Sequence, residues 1–159
     1  PAAVTIFLVR DSSREQKNEG HPTMLSYGTH DAKRFNAPPV FPIYMVEKVT
    51  RWLIDLGGID AIHAINQRKA KMLYDKIDAT DFYVGTVEPE DRSIMNATFR
   101  LHDEDLEPLF IKKAEEQGLM SLKGHRTVGG MRASMYNALP VEAVESLVDF
   151  MDEFERTHG

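Results

Sequence analysis

The chain has 159 residues, enough for one well-packed core or a core with an appendage, since domains commonly run to ~100–150 residues. With 42% hydrophobic and 28% charged residues, its composition is that of a globular protein rather than a disordered or fibrous one. Nineteen basic against 25 acidic residues give a formal net charge of -6, which excludes a general attraction for a phosphate backbone or an anionic membrane. Neither nucleic acid nor membrane is an expected partner.

There is no cysteine, which removes disulfide scaffolds, thiol catalysis and thiolate zinc sites, and fits a reducing, cytoplasmic setting. No apolar run approaches the ~18 residues of a membrane span. The opening "PAAVTIFLVR" lacks an initiator Met and has no basic stretch followed by a hydrophobic signal core, so the expectation is a piece of a longer protein. Val4 to Val9 is β-branched and apolar on both faces, the pattern of a buried strand that needs neighbours on either side. The polar, turn-forming segment that follows, as far as Pro38–Pro39, has almost no periodicity and is read as a long loop. Met24, Leu25, Tyr27 and Phe35 within it argue for local packing.

Beyond the prolines, Tyr44, Met45, Val49, Trp52, Leu53 and Leu56 recur at three- and four-residue spacing, which predicts a helix stopped by Gly57–Gly58. Ile62, Ile65, Ala70, Leu73 and Ile77 predict a second helix over 59–78. "FYVGTV" (82–87) and "NATFRL" (96–101) read as strands, the latter alternating Ala97, Phe99 and Leu101 against Thr98 and Arg100. Asp103 is the expected N-cap for a helix over 105–116 that Gly118 closes. A short strand over 120–123, a last strand in "RASMYN" and an amphipathic helix opening at Pro140 complete the order. The fold class is α+β, a small, mostly antiparallel sheet covered by helices.

The stretch "GHRTVGGMRASMYNALP" (124–140) gathers His125, Arg126 and Arg132 around Gly129–Gly130. The Arg132 guanidinium is a planar fork that matches a carboxylate with two parallel hydrogen bonds, and adjacent glycines let the backbone approach a small ligand. A His beside an Arg can grip phosphate, because the oxyanion accepts from both and favours the protonated imidazole. Each feature taken singly also fits a surface turn with solvated charges. His21, His30, His63, His102 and His158 show no metal-ligand spacing, and no metal is expected. No Walker or dinucleotide glycine motif and no Ser/His/Asp order is present. The residues on their own give an α+β domain with one anion-binding loop.

The same stretch, continued through "VEAVESLVDFMDEFERTHG", resembles the carboxyl end of the phosphoserine aminotransferases, class V, fold-type I enzymes that depend on pyridoxal phosphate. "PAAVTIFLVR", "PTMLSYGTH", "FNAPPVFPIYMVEKVTRWLIDLGG" and "RSIMNATFRL" extend the resemblance over the whole chain. It implies that residues 1–42 end a large cofactor-binding domain and that 43–159 form the carboxyl-terminal small domain. In its GG-x-R-A-S pattern Arg132 would hold the substrate α-carboxylate, and in its G-H-R pattern His125 and Arg126 would grip the phosphate of phosphoserine or the side-chain carboxylate of glutamate. Asn36 falls on the Asn of an N-T-P-P pattern that reaches the partner's cofactor across a homodimer. Ala37 stands where that pattern has Thr and so lacks the hydroxyl donor. The family's cofactor-anchoring lysine precedes the strand that opens this sequence, so the resemblance places no catalytic residue here and implies that the chain is inactive by itself. The implied reaction exchanges amino groups between L-glutamate and 3-phosphohydroxypyruvate in serine biosynthesis. A non-catalytic module binding an amino acid or phosphate is the alternative.

Overall fold

The computed structural model of the chain describes residues 4–14, 20, 22–32 and 37–159. The chain divides into two compact units, Pro1–Asp55 and Leu56–Gly159. The first contains short helices α1 (Asp11–Arg14) and α2 (Tyr27–Ala32), a 3-10 turn at Thr23–Leu25 and the long helix α3 (Val40–Asp55). Within it, His30 Nε2 donates to the Met24 carbonyl at 2.8 Å and the Phe7 and Tyr27 rings lie 6.5 Å apart. The strand expected at Val4–Val9 is absent: these residues have no regular structure, and Ile6, Phe7 and Leu8 are exposed. A strand exists only where a neighbour takes up its N–H and C=O groups, and no described residue pairs with this segment. The expected loop before the prolines is partly helical, in α1 and α2.

The larger unit opens with helix α4 (Gly58–Ile77), entered through Gly57 and Gly58, whose φ angles of 112° and 82° suit a residue without Cβ. Strands β1 (Tyr83–Gly85), β2 (Asn96–Leu101) and β3 (Met131–Ser134) form an antiparallel sheet in the order β1-β2-β3. Helix α5 (Glu107–Glu116) follows a 3-10 turn that Asp103 caps through the Asp105 N–H, and helix α6 (Val141–His158) begins directly after Pro140. Only β2 spans its whole predicted stretch. Of the expected strand over 120–123 a single bridge survives, Lys123 to Met131, and the last strand ends at Ser134 rather than continuing through Asn137.

Apolar spacing explains the packing. Ala97, Phe99 and Leu101 alternate inward along β2, and Met131 and Ala133 do so along β3, while Leu73, Ile77, Val144, Leu147, Met151 and Phe154 form the facing stripes of α4 and α6. Phe110 of α5 sits among the rings of Phe99, Tyr83, Phe150 and Phe154, with centroids 5.0 to 6.2 Å away. Such edge-to-face contacts add to the area term for burial. The Tyr83 hydroxyl donates to the Met151 carbonyl at 2.8 Å, and burial pushes its pKa far above the ordinary value. The helices cover only the inward face of the sheet. Thr98, Arg100, Arg132 and Ser134 occupy the other.

A buried cation lies beside the end of β3. Lys69 of α4 is completely buried, and its ammonium donates to the carbonyls of Tyr136 (2.9 Å), Leu139 (3.0 Å) and Met135 (3.4 Å). Burial holds its pKa below the ordinary lysine value. Beside it, Asn66 Nδ2 donates to Asn137 Oδ1 at 2.8 Å. These bonds tie the segment after Ser134 to α4, and the regular strand ends there. Lys69→Met keeps the volume and strands three acceptors, so urea unfolding is expected to report a loss of about 2–4 kcal/mol. A change below ~0.5 kcal/mol would mean that water replaces the ammonium without cost.

Candidate functional site

The outward face of the sheet is polar by the same alternation that makes the inward face apolar. Thr98 on β2 pairs directly with Arg132 on β3, and Asn96 pairs with Ser134. The Arg132 backbone N–H donates to the Leu122 carbonyl at 2.7 Å, which ties the strand to the segment entering the 124–130 loop. Its side chain is half-buried, and Nε is shielded from solvent with no hydrogen-bond partner among the described residues. A guanidinium N–H shielded from water and unbonded is costly unless an acceptor arrives.

The loop between Lys123 and Met131 is a tight reversal. Gly124 N–H donates to the Gly130 carbonyl at 2.8 Å, and the Val128 and Gly129 N–H groups both donate to the His125 carbonyl, at 2.9 and 2.8 Å. Gly129 and Gly130 have φ of 79° and 63°, so the reversal uses left-handed backbone at two successive positions. A Cβ on Gly124 would lie 2.0 Å from the Gly129 carbonyl oxygen, so two chain segments pass in contact there. The turn is a steric device as well as a conformational one.

His125 and Arg126 sit at the tip. His125 Nδ1 lies 2.7 Å from the Thr127 hydroxyl and 3.4 Å from the Thr127 N–H, which can only donate. In the neutral ring this network assigns the hydrogen to Nε2, leaving a donor free to face a ligand. Arg126 is exposed and has no ion pair or hydrogen bond among the described residues. Both line an open groove of about 570 Å³ that runs beside α5, with Lys123 and Lys112 contributing further positive charge and Glu104, Glu107 and Glu115 opposing it.

The structure thus brings His125 and Arg126 into one groove and places Arg132 outside it, on the neighbouring sheet face. Arg132 lies two positions along the chain from Gly130, with Met131 between them, about 7 Å of extended chain at ~3.3 Å per residue. An elongated ligand with an anion at each end matches two such stations better than a single small anion does. Ala37 is described and exposed, with a methyl side chain and therefore only its backbone N–H to offer; Asn36 lies outside the described residues. Among the described residues no group of three or more His, Asp or Glu is arranged to hold a metal ion.

Three participants escape a search for charged motifs: Thr98, Thr127 and Gly124. Thr98 was legible in the alternation of "NATFRL", since every second residue of a half-buried strand must face away from the core. Nothing in the sequence marks Gly124 as the point where two segments touch.

A three-stranded antiparallel sheet with helices on one face, next to a cationic, glycine-built turn, defines a small α+β domain. Comparison with known proteins places it. The model of the aminotransferase class-V family matches residues 11–147, and the chain belongs to that family. It is 48% identical to the phosphoserine aminotransferase of Desulfosudis oleivorans and 51% identical to that of Syntrophobacter fumaroxidans, in each case over 100% of this chain and 45% of the relative. The chain therefore spans just under half the length of the curated relatives it matches. The structure of phosphoserine aminotransferase from Bacillus circulans subsp. alkalophilus superposes with a TM-score of 0.83 at 46% identity, covering 91% of this chain and 41% of that one. A pyridoxal-phosphate-bound phosphoserine aminotransferase from Trichomonas vaginalis gives a TM-score of 0.74 at 36% identity over 85% of this chain and 39% of that one.

Gly124→Ala tests the turn. Its Cβ has no room against backbone, and the forced shift is expected to cost about 1–3 kcal/mol, read as a lower Tm. An unchanged Tm would show that the Gly124 to Gly129 approach is not a packed contact.

Proposed function

We propose that the chain is the carboxyl-terminal part of a phosphoserine aminotransferase that exchanges amino groups between L-glutamate and 3-phosphohydroxypyruvate in L-serine biosynthesis. The observation that carries this reading is Arg132: a half-buried guanidinium whose Nε has no partner among the described residues, beside a turn bearing two more cationic groups. In this reading residues 1–42 end a large cofactor-binding domain and residues 43–159 form the small domain. The whole protein is a cytoplasmic homodimer.

Arg132 binds the substrate α-carboxylate through its planar fork, and the bound carboxylate satisfies the shielded Nε–H. His125, through Nε2, and Arg126 take the distal anion, either phosphate or side-chain carboxylate. Two anionic substrates of similar length then share one site, as a reaction that alternates between them requires. Holding both ends fixes the rotation of the Cα substituents, so binding energy from the distal group goes into orientation at the reacting carbon.

The described residues do not supply a cofactor pocket by themselves. Lys69, the fully buried lysine among them, has its ammonium occupied by three carbonyls. Within this chain the contacts assigned to the cofactor are Asn36 and the Ala37 backbone. Pyridoxal phosphate, when bound, supplies the electron sink for breaking the bond at Cα. The residues of this chain select and orient what reaches it.

In the full-length protein, Arg132→Ala is expected to lower kcat/KM for glutamate and for phosphoserine by about 100-fold or more, equivalent to a few kcal/mol, with Arg132→Lys intermediate because it keeps charge but not the fork. Equal kcat/KM in wild type and Arg132→Ala would remove the carboxylate role. Phosphoserine binding by the purified chain alone would favour a non-catalytic binding module instead.

A further inference from the structure

Arg100 is the one arginine of β2, placed on the outward face two residues beyond Thr98. Its guanidinium makes two different bonds. Nη1 pairs with Glu104 Oε2 at 2.7 Å, at the start of the 3-10 turn that leads into α5. Nη2 donates to the Val128 carbonyl in the anion-binding turn. The contact is also steric: a Cβ on Gly129 would come within 3.0 Å of Arg100 Nη2, and one on Gly130 within 2.9 Å of Arg100 Cγ. The glycine pair lies flat along the Arg100 side chain, so its lack of side chains is what lets Arg100 pass beneath.

We propose that Arg100 is a positioning residue for anion recognition, a bracket that ties the 125–130 turn to the α5 entry through Glu104 and so holds His125 and Arg126 at a fixed station. The inference rests on the reading that His125 and Arg126 bind the distal anion. The mechanical path is short. The Val128 and Gly129 N–H groups close the turn onto the His125 carbonyl, so holding the Val128 carbonyl holds the peptide that carries His125. Glu104 lines the same groove as His125 and Arg126 and occupies one edge of the Arg100 fork, which leaves Arg100 engaged in protein contacts rather than open to a ligand. A lysine has one ammonium on a flexible stem and cannot span the two acceptors with a rigid fork.

The test uses the full-length enzyme with two variants. Arg100→Met removes the bracket, and Glu104→Gln removes only its outer support. With Arg100→Met, KM for phosphoserine is expected to rise about ten-fold while kcat falls less than about three-fold, since a misplaced binding group weakens positioning more than chemistry. Hydrogen–deuterium exchange across residues 125–130 is expected to speed up at least about ten-fold, with Glu104→Gln moving both readouts the same way by less. Unchanged exchange at 125–130, or faster exchange with unchanged KM, overturns the proposal. Failure of the wild-type enzyme to use phosphoserine would instead overturn the functional reading, and the exchange measurement still judges the bracket.

Discussion

Strand β2 is packed on one side and polar on the other, and the placement of Thr98, Arg100 and Arg132 follows from that constraint. Phe99 and its neighbours commit one face to the aromatic core. Because side chains alternate, a one-residue slip would bury Thr98 and Arg100 and expose Phe99, so core packing fixes the register. Register then pairs Thr98 with Arg132 and sets Arg100 beneath the glycine turn. The polar face is the reverse side of the hydrophobic core.

Two cations in this unit receive opposite treatment. Lys69 is fully buried and fully bonded: three donors meet three carbonyls, with nothing left for a ligand. Arg132 is half-buried and has a shielded donor without a partner. Leaving a donor unbonded costs stability, while satisfying it with a charged acceptor returns roughly 1.5–3 kcal/mol at the moment of binding. A second polar cluster has a structural use: Lys76 is held between Asp152 (2.5 Å) and Glu155 (2.7 Å) and fastens the end of α4 to α6. Burial lowers the Lys76 pKa, and the two carboxylates more than reverse this, so its pKa lies above the ordinary value.

Much of this was legible in the residues. The helices over 58–77, 107–116 and 141–158 follow from three- and four-residue apolar spacing with glycine or proline at their ends, and β2 follows from strict alternation. His125, Arg126 and Arg132 stood out as cations grouped around glycines. What did not show was non-local. The segment after β3 is tied to Lys69, 66 residues before Met135 in the chain, and the shape of the turn depends on Arg100, 28 residues before Val128. The Val4–Val9 segment has strand composition but no strand, because composition supplies only one of the two edges a sheet needs. Asn36 lies outside the described residues, and Ala37 is exposed.

In the proposed reading one anionic substrate spans two stations, Arg132 on the outward sheet face and the His125–Arg126 tip in the groove beside α5. A crystal structure of the full-length protein with phosphoserine bound tests it most directly. The α-carboxylate is expected within hydrogen-bonding distance of the Arg132 guanidinium, including Nε, and the phosphate on His125 Nε2 and Arg126. A phosphate seated on Arg132, or a ligand that touches neither station, would contradict it.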